Sequence, residues 1–287
     1  VVQKSRLRIG AVSFLNTKPL IYPLLNGQLP TDNVLLSVHV PSRLATLLSE
    51  GKLDVGLIPI IEYFRARDPG VGYRILPSIS IASHGSVQSI QLFSRVPIQD
   101  IQRIALDTSS RSSIALLKIL LAEKYQLHPA FTLCKPSVDP AAVESEAVLL
   151  IGDAALKHLG ATEYSVDLGR EWRELTGMPF VYACWVARGK VCLGDTPKLL
   201  RQAKAQGIKQ IPEIARIEAR KLGLSETLCR NYLQHHIHYD LDETEIAGIE
   251  LFYKLAVKNG LAAPGHSLSF TETSKGSSEI RNKAFSA

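Results

Sequence analysis

The feature that most restricts how this chain can fold is a unit that recurs along its first part: a short apolar run, a polar loop, then a helix opened by proline. Residues 7–12 (LRIGAV) read as a strand, SFLNTKPL follows as a polar loop, and Pro19 sits in the first turn of the next apolar stretch. Proline is tolerated there because the first helical N–H groups have no partner to lose, and Asn16 or Thr17 just ahead of it can cap the free donors. The unit returns as LLSVHV (35–40), Pro41-Ser42, LATLLSEGK and LDVGLIP (53–59). Strands alternating with helices predict βαβ units, an α/β fold and a mostly parallel sheet with helices on both faces. In such sheets ligands gather at the carboxyl ends of the strands, where these polar loops lie.

Length decides how many such sheets to expect. With 287 residues, 46% of them hydrophobic, the chain can bury a sizeable core and favours two lobes over one. After RILPSISIAS comes His84-Gly85-Ser86, and residues 89–94 (SIQLFS) alternate as a half-buried strand should. Pro97 breaks that run and RIALD (103–107) opens a fresh series, which places the crossover into the second lobe near residue 96. There DTSSRSS (107–113) directly precedes IALLKILLAEKY, with five hydroxyl side chains in six positions. One hydroxyl can cap the helix, and the others, with the free N–H groups and the helix dipole, make an anion site. AVLLIGDAAL (147–156) repeats the strand–turn–helix motif, Gly152 permitting close backbone approach and Asp153 placed to cap. FVYACWVAR (180–188) reads as a strand returning to the first lobe, and helices follow near 196–206, 209–222, 225–238 and 242–259. The expected division is 1–95 plus 189–264 for lobe 1, 96–188 for lobe 2, and a flexible tail at 265–287.

Composition removes other classes. The net charge of +6 is modest and its Lys and Arg are scattered, which argues against nucleic acid as a partner while favouring the approach of a small anion. No run of about 18 or more apolar residues exists to span a membrane. The first fifteen residues lack the pattern of a signal peptide, so a cytoplasmic location is expected. Cys134, Cys184, Cys192 and Cys229 stand far apart, without a C-x-x-C pair, and read as buried thiols. His235, His236 and His238 have no carboxylate or cysteine at useful ligand spacing and read as helix surface, so no metal is expected. Gly70 and Gly72 form no nucleotide fingerprint and no P-loop occurs; no cofactor is expected.

Six segments carry a resemblance: VSFLNTKPL (12–20), GLIP (56–59), ALDTSSRSS (105–113), LIGDAAL (150–156), DLGREW (167–172) and LTGMPFV (175–181). In order, and over roughly residues 6 to 260, they resemble the chorismate dehydratases of menaquinone biosynthesis via futalosine. A sister family that releases dihydroxynaphthoate has a different first loop, and SFLNTKP argues against it. The resemblance implies a two-lobed fold like the type II periplasmic binding proteins, each lobe a mixed, mostly parallel sheet flanked by helices. It also implies a hydro-lyase that converts chorismate to 3-[(1-carboxyvinyl)oxy]benzoate and water without metal or redox cofactor, as a monomer or homodimer. Within that reading Asn16 is the catalytic residue, orienting the ring while the substrate's own enolpyruvyl carboxylate takes the proton. Thr108, Ser109, Ser110, Arg111 and Ser112 bind one carboxylate, Ser83 and Ser86 reach the other, and Gly152 lets the backbone approach the ligand. The residues alone leave duller roles open: Asn16 and the serines as caps, Arg111 paired with a surface acid. A solute-binding protein for a small anion and another menaquinone-pathway enzyme are the rivals on the same lobes.

Overall fold

A computed structural model describes residues 6–66, 72–109, 111–135, 138–189 and 191–271. Ser110, Gly70 and residues 272–287 lie outside the described residues. The chain opens with β1 (Leu7–Val12), a 3₁₀ turn at Leu15–Thr17 and α1 (Lys18–Leu25), then β2 (Val34–His39), α2 (Pro41–Ser49), β3 (Val55–Pro59), α3 (Ile60–Phe64) and the long β4 (Arg74–Ser83). Next come β5 (Ile90–Ser94), β6 (Arg103–Asp107), α4 (Arg111–Leu120), β7 (Ala130–Cys134), β8 (Ala147–Ile151), α5 (Gly152–Lys157), β9 (Tyr164–Asp167) and α6 (Leu168–Thr176). β10 (Phe180–Ala187) leads into α7 (Thr196–Lys209), α8 (Ile211–Leu222), α9 (Glu226–Asn231), a π turn at Tyr232–His236 and α10 (Glu243–Lys258).

The strands form two five-stranded sheets, β2-β1-β3-β10-β4 and β7-β6-β8-β5-β9. In each sheet one strand is reversed against the rest: β10 runs antiparallel to β3 and β4, and β5 antiparallel to β8 and β9. The reversed strand is the one that has just crossed from the other lobe. This corrects the expected boundaries. The first crossover is at 84–89 rather than near Pro97, because β5 is in register with β8 and β9, Leu92 lying opposite Leu149 and Val166. β10, drawn inside lobe 2 by the boundary at 188, belongs to the first sheet. A local pattern specifies that a segment is a strand, but not which sheet accepts it. β5 is also buried along its whole length instead of half-buried. Its polar side chains are satisfied inside: the Gln91 amide donates to Asp167 and the Ser94 hydroxyl to the Val96 carbonyl.

The outer edge of β4 is covered by chain, which removes an exposed ladder of unpaired groups. Ala82 and His238 exchange two backbone hydrogen bonds of 2.9 and 2.8 Å. Ile75 N–H donates to the Ser269 carbonyl and the Ile75 carbonyl accepts from Thr271 N–H, so residues 265–271 include a docked segment and not only the expected flexible tail. The apolar core continues from the first sheet (Ile9, Leu57) into the second (Leu92, Leu149). At the second crossover, Trp172 of α6, Phe180 of β10 and Phe252 of α10 pack edge to face, and the Trp172 indole donates to the Pro179 carbonyl at 3.1 Å.

All four cysteines are free thiols, but only Cys184 and Cys229 are buried as expected. Cys192 is exposed because it lies in the loop after β10, and Cys134 is partly exposed at the end of the edge strand β7. Among the described residues no helix is long and apolar enough to cross a membrane.

Candidate active site

The carboxyl ends of β1, β3 and β8 meet between the lobes around a cavity of about 40 Å³. Asn16, Ser89, Ser113 and Tyr182 supply its polar lining, set among apolar walls that include Phe14, Pro41 and Ile151. The lobes touch around it. Leu15 N–H donates to Asp153 Oδ1 at 2.9 Å, Ser42 N–H to the Ser109 carbonyl at 3.1 Å, and Ile61 N–H to Ser112 Oγ at 3.2 Å. Arg111 Nη1 completes the seam at 2.6 Å from Glu62 Oε2. A pocket that holds a metabolite usually measures roughly 300 Å³ or more, so the cavity as it stands is smaller than a metabolite requires.

Asn16 does not cap α1: that helix has no side-chain cap bond. Its Oδ1 instead accepts from the Thr17 hydroxyl at 3.3 Å, and its side chain hydrogen-bonds the Tyr232 hydroxyl. Tyr232 in turn donates to Ser89 Oγ at 2.7 Å. Ser83 is buried behind Tyr182: its hydroxyl donates to the Gly85 carbonyl at 3.0 Å and lies 2.9 Å from the Tyr182 hydroxyl, which is therefore the donor to it. Burial holds the phenols of both Tyr182 and Tyr232 well above the usual value of 10.0, so both remain proton donors.

The other expected residues divide. Gly152 lines the cavity with φ +59°, and its N–H donates to the Ser89 carbonyl at 2.7 Å. A Cβ there would lie 2.8 to 2.9 Å from atoms of the Phe14 ring. Ser86 donates to Asp167 Oδ2 at 2.7 Å. Ser109 turns inward, its N–H and hydroxyl both donating to Asp107 Oδ1 at 2.8 and 2.6 Å, while burial raises the Asp107 carboxyl above its ordinary value. Thr108 is exposed, and Arg111 lines a separate open groove of about 1170 Å³ beside Glu62 and Tyr73. Ser110 lies outside the described residues. Asn16 and Gly152 are thus brought to the cavity, Ser83 and Ser112 abut residues that line it or the seam, and Thr108 and Arg111 are not brought there.

Sequence reasoning missed Ser89, Ser113, Tyr182 and Tyr232 as site residues. The signal for Tyr182 was present, since it is a phenol within the apolar run of β10, where its hydroxyl must find a partner; Tyr232 stands on a helical stretch among exposed residues and carried no such signal. Asp153 was expected to cap α5, which has no side-chain cap bond; its carboxylate reaches across the cleft to Leu15. Burial raises the Asp153 carboxyl, opposed by the Leu15 N–H and by Lys18. Asp167 organises the crossover. Its two oxygens accept from the Ser86 hydroxyl, the Val87 and Gln88 N–H groups, the Gln91 amide, and the Gly169 and Arg170 N–H groups of α6, all within 2.7 to 3.1 Å.

Two α/β lobes joined by two crossovers, with a polar-lined cavity between them, define a protein of the periplasmic-binding-protein architecture. Residues 7–258 match the menaquinone biosynthesis family, and the chain belongs to that family. It is similar to the chorismate dehydratase of Thermus thermophilus, 31% identical over 234 residues that cover 74% of this chain and 83% of that protein. The chorismate dehydratase of Campylobacter jejuni is 26% identical over 88% of this chain and 99% of its own length. Among solved structures, a protein of Archaeoglobus fulgidus superposes with a TM-score of 0.74 at 18% identity, covering 89% of this chain and 98% of its own. The alkanesulfonate-binding protein SsuA of Xanthomonas axonopodis pv. citri, bound to MOPS, gives 0.68 at 16% identity, over 91% of this chain and 96% of that one. These structural likenesses establish the fold alone.

Proposed function

We propose that the chain dehydrates chorismate to 3-[(1-carboxyvinyl)oxy]benzoate in menaquinone biosynthesis via futalosine. The observation that carries this reading is membership of the menaquinone biosynthesis family over residues 7–258, together with curated relatives that are chorismate dehydratases over most of the chain. In the reaction the C3–H and C4–O bonds break, the proton and hydroxide leave as water, and the ring becomes aromatic with its enolpyruvyl ether intact. No electrons are exchanged with a partner.

The lining supports a division of labour. Among the described residues no side chain lining the cavity is ionised at neutral pH, since its polar members are Asn16, Ser89, Ser113 and the protonated Tyr182. The proton acceptor is then the substrate's own enolpyruvyl carboxylate, which Asn16, fixed against Tyr232, holds over C3. The Ser89 hydroxyl, whose oxygen already accepts from Tyr232, keeps its own proton to donate to the departing oxygen in a space from which closure has removed water. For the serines that open α4 to take one carboxylate and the Ser83–Ser86 turn the other, the Ser109–Asp107, Ser83–Gly85 and Ser86–Asp167 bonds are exchanged for the ligand, while Arg111 latches the lobes through Glu62. A biosynthetic enzyme of this kind works in the cytoplasm beside its substrate, and a single chain carries the whole cleft.

Incubation of the purified protein with chorismate, followed by absorbance and chromatography, should show loss of the diene and appearance of an aromatic acid. Chorismate bound but recovered unchanged would favour a solute-binding role instead, and chorismate neither bound nor changed would end both readings. Asn16→Ala should lower kcat about 100-fold or more, as loss of a positioned donor does. A kcat within about threefold of wild type, roughly 0.7 kcal/mol of barrier, would remove Asn16 from the chemistry.

A further inference from the structure

Where the first crossover leaves β4, three side chains distant in sequence meet. His84 Nε2 lies 2.6 Å from Glu245 Oε1, and His238 Nε2 lies 3.8 Å from the same oxygen. The two imidazole centroids are 4.3 Å apart, and one donor atom from each of the three residues falls within 4.8 Å of the others. The cluster is held from behind. Glu245 is 2% exposed, and its second oxygen accepts the Asp242 N–H at 3.1 Å in the capping box that opens α10, which leaves Oε1 aimed at both rings. The paired backbones of Ala82 and His238 bring the two histidine segments side by side, and His236 Nδ1 lies 2.9 Å from the Ser86 carbonyl on the same crossover.

We propose that His84, His238 and Glu245 form a binding site for a divalent transition metal of the zinc class. Two imidazoles and one carboxylate are a donor set that suits Zn²⁺, with a fourth position left for water. Tetrahedral ligands at about 2.0–2.1 Å from the ion stand about 3.3 Å from one another. The two separations from Glu245 Oε1, 2.6 and 3.8 Å, fall on either side of that value and all three donor atoms lie within 4.8 Å, so rotations of the two part-exposed rings would bring them to one ion. A simple His84–Glu245 hydrogen bond accounts for one imidazole and leaves the second tilted at 48° beside it, its Nε2 3.8 Å from the Glu245 oxygen and 3.9 Å from Asp240 Oδ2, beyond hydrogen-bond distance of either. The Asp242 N–H bond to the other oxygen of the buried carboxylate is the kind of supporting contact that orients metal ligands generally. A bound ion ties the crossover to α10 and stiffens the joint between the lobes. This site is independent of the dehydratase reading.

The test uses the full chain, stripped with a chelator, dialysed, and titrated with ZnCl₂ by calorimetry and with CoCl₂ by visible absorption. One Zn²⁺ per chain is expected, with micromolar or tighter affinity, a cobalt spectrum of low-coordination N/O ligation, and a rise in Tm on adding zinc. His84→Ala and His238→Ala should each weaken binding at least tenfold and abolish the Tm rise, with circular dichroism unchanged; the exposed His235→Ala should bind as wild type does. Absence of zinc binding by the wild type, equal binding by His84→Ala, or loss of binding in His235→Ala would each overturn the assignment.

Discussion

Replacing Gly152 with alanine separates the stability of the fold from the closing of its lobes. The residue has φ +59°, a left-handed conformation in which a Cβ costs about 1–2 kcal/mol whether the lobes are open or shut. A second cost exists only in the closed form. The new methyl would lie 2.8 to 2.9 Å from the Phe14 ring, against about 3.5–4.0 Å for ordinary carbon contact, and Phe14 is carried by the opposite lobe. Overpacking of this kind costs about 1–3 kcal/mol, which displaces the closing equilibrium toward the open form about 5- to 150-fold. Urea unfolding should therefore lose about 1–2 kcal/mol, while kcat/KM falls by the larger factor and scattering with bound ligand reports a wider molecule. Adding Phe14→Leu should restore closing without restoring the lost stability. A Gly152→Ala protein that closes and turns over as wild type does would refute the contact as a determinant of closure.

Three further outcomes are expected. Asp167→Asn turns an N–H₂ group toward donors that now share a carboxylate, and should destabilise the protein by about 3–5 kcal/mol in urea; a loss under about 1 kcal/mol would deny Asp167 its organising role. Asp153, whose carboxyl is raised above 3.8 chiefly by burial, keeps its proton longer in the folded state, so its contribution to stability declines as pH rises from 3.8 through the folded value. Asp153→Asn should flatten that decline in the unfolding midpoint, and an unchanged slope would contradict it. Arg111→Ala breaks a part-exposed ion pair worth up to about 1 kcal/mol, so kcat/KM should fall less than about fivefold; a far larger loss would show that Arg111 reaches the substrate.

The extents of β1 and β6, the four C-terminal helices and the polar loops at the strand ends were legible in the sequence, because periodicity, apolar runs and Pro19 report on a segment's own backbone and burial. The motifs in those loops also carried the family. The return of residues 180–188 to the first lobe was expected too, but tertiary structure alone decided that β5 joins the second sheet, since sheet membership depends on pairing with strands tens of residues away. It alone set Tyr182, Tyr232 and Ser89 around Asn16, turned Arg111 to Glu62, and gathered His84, His238 and Glu245. A side chain's neighbours across a crossover come from the closing of the whole chain, and no local spacing encodes which carboxylate or phenol will stand opposite.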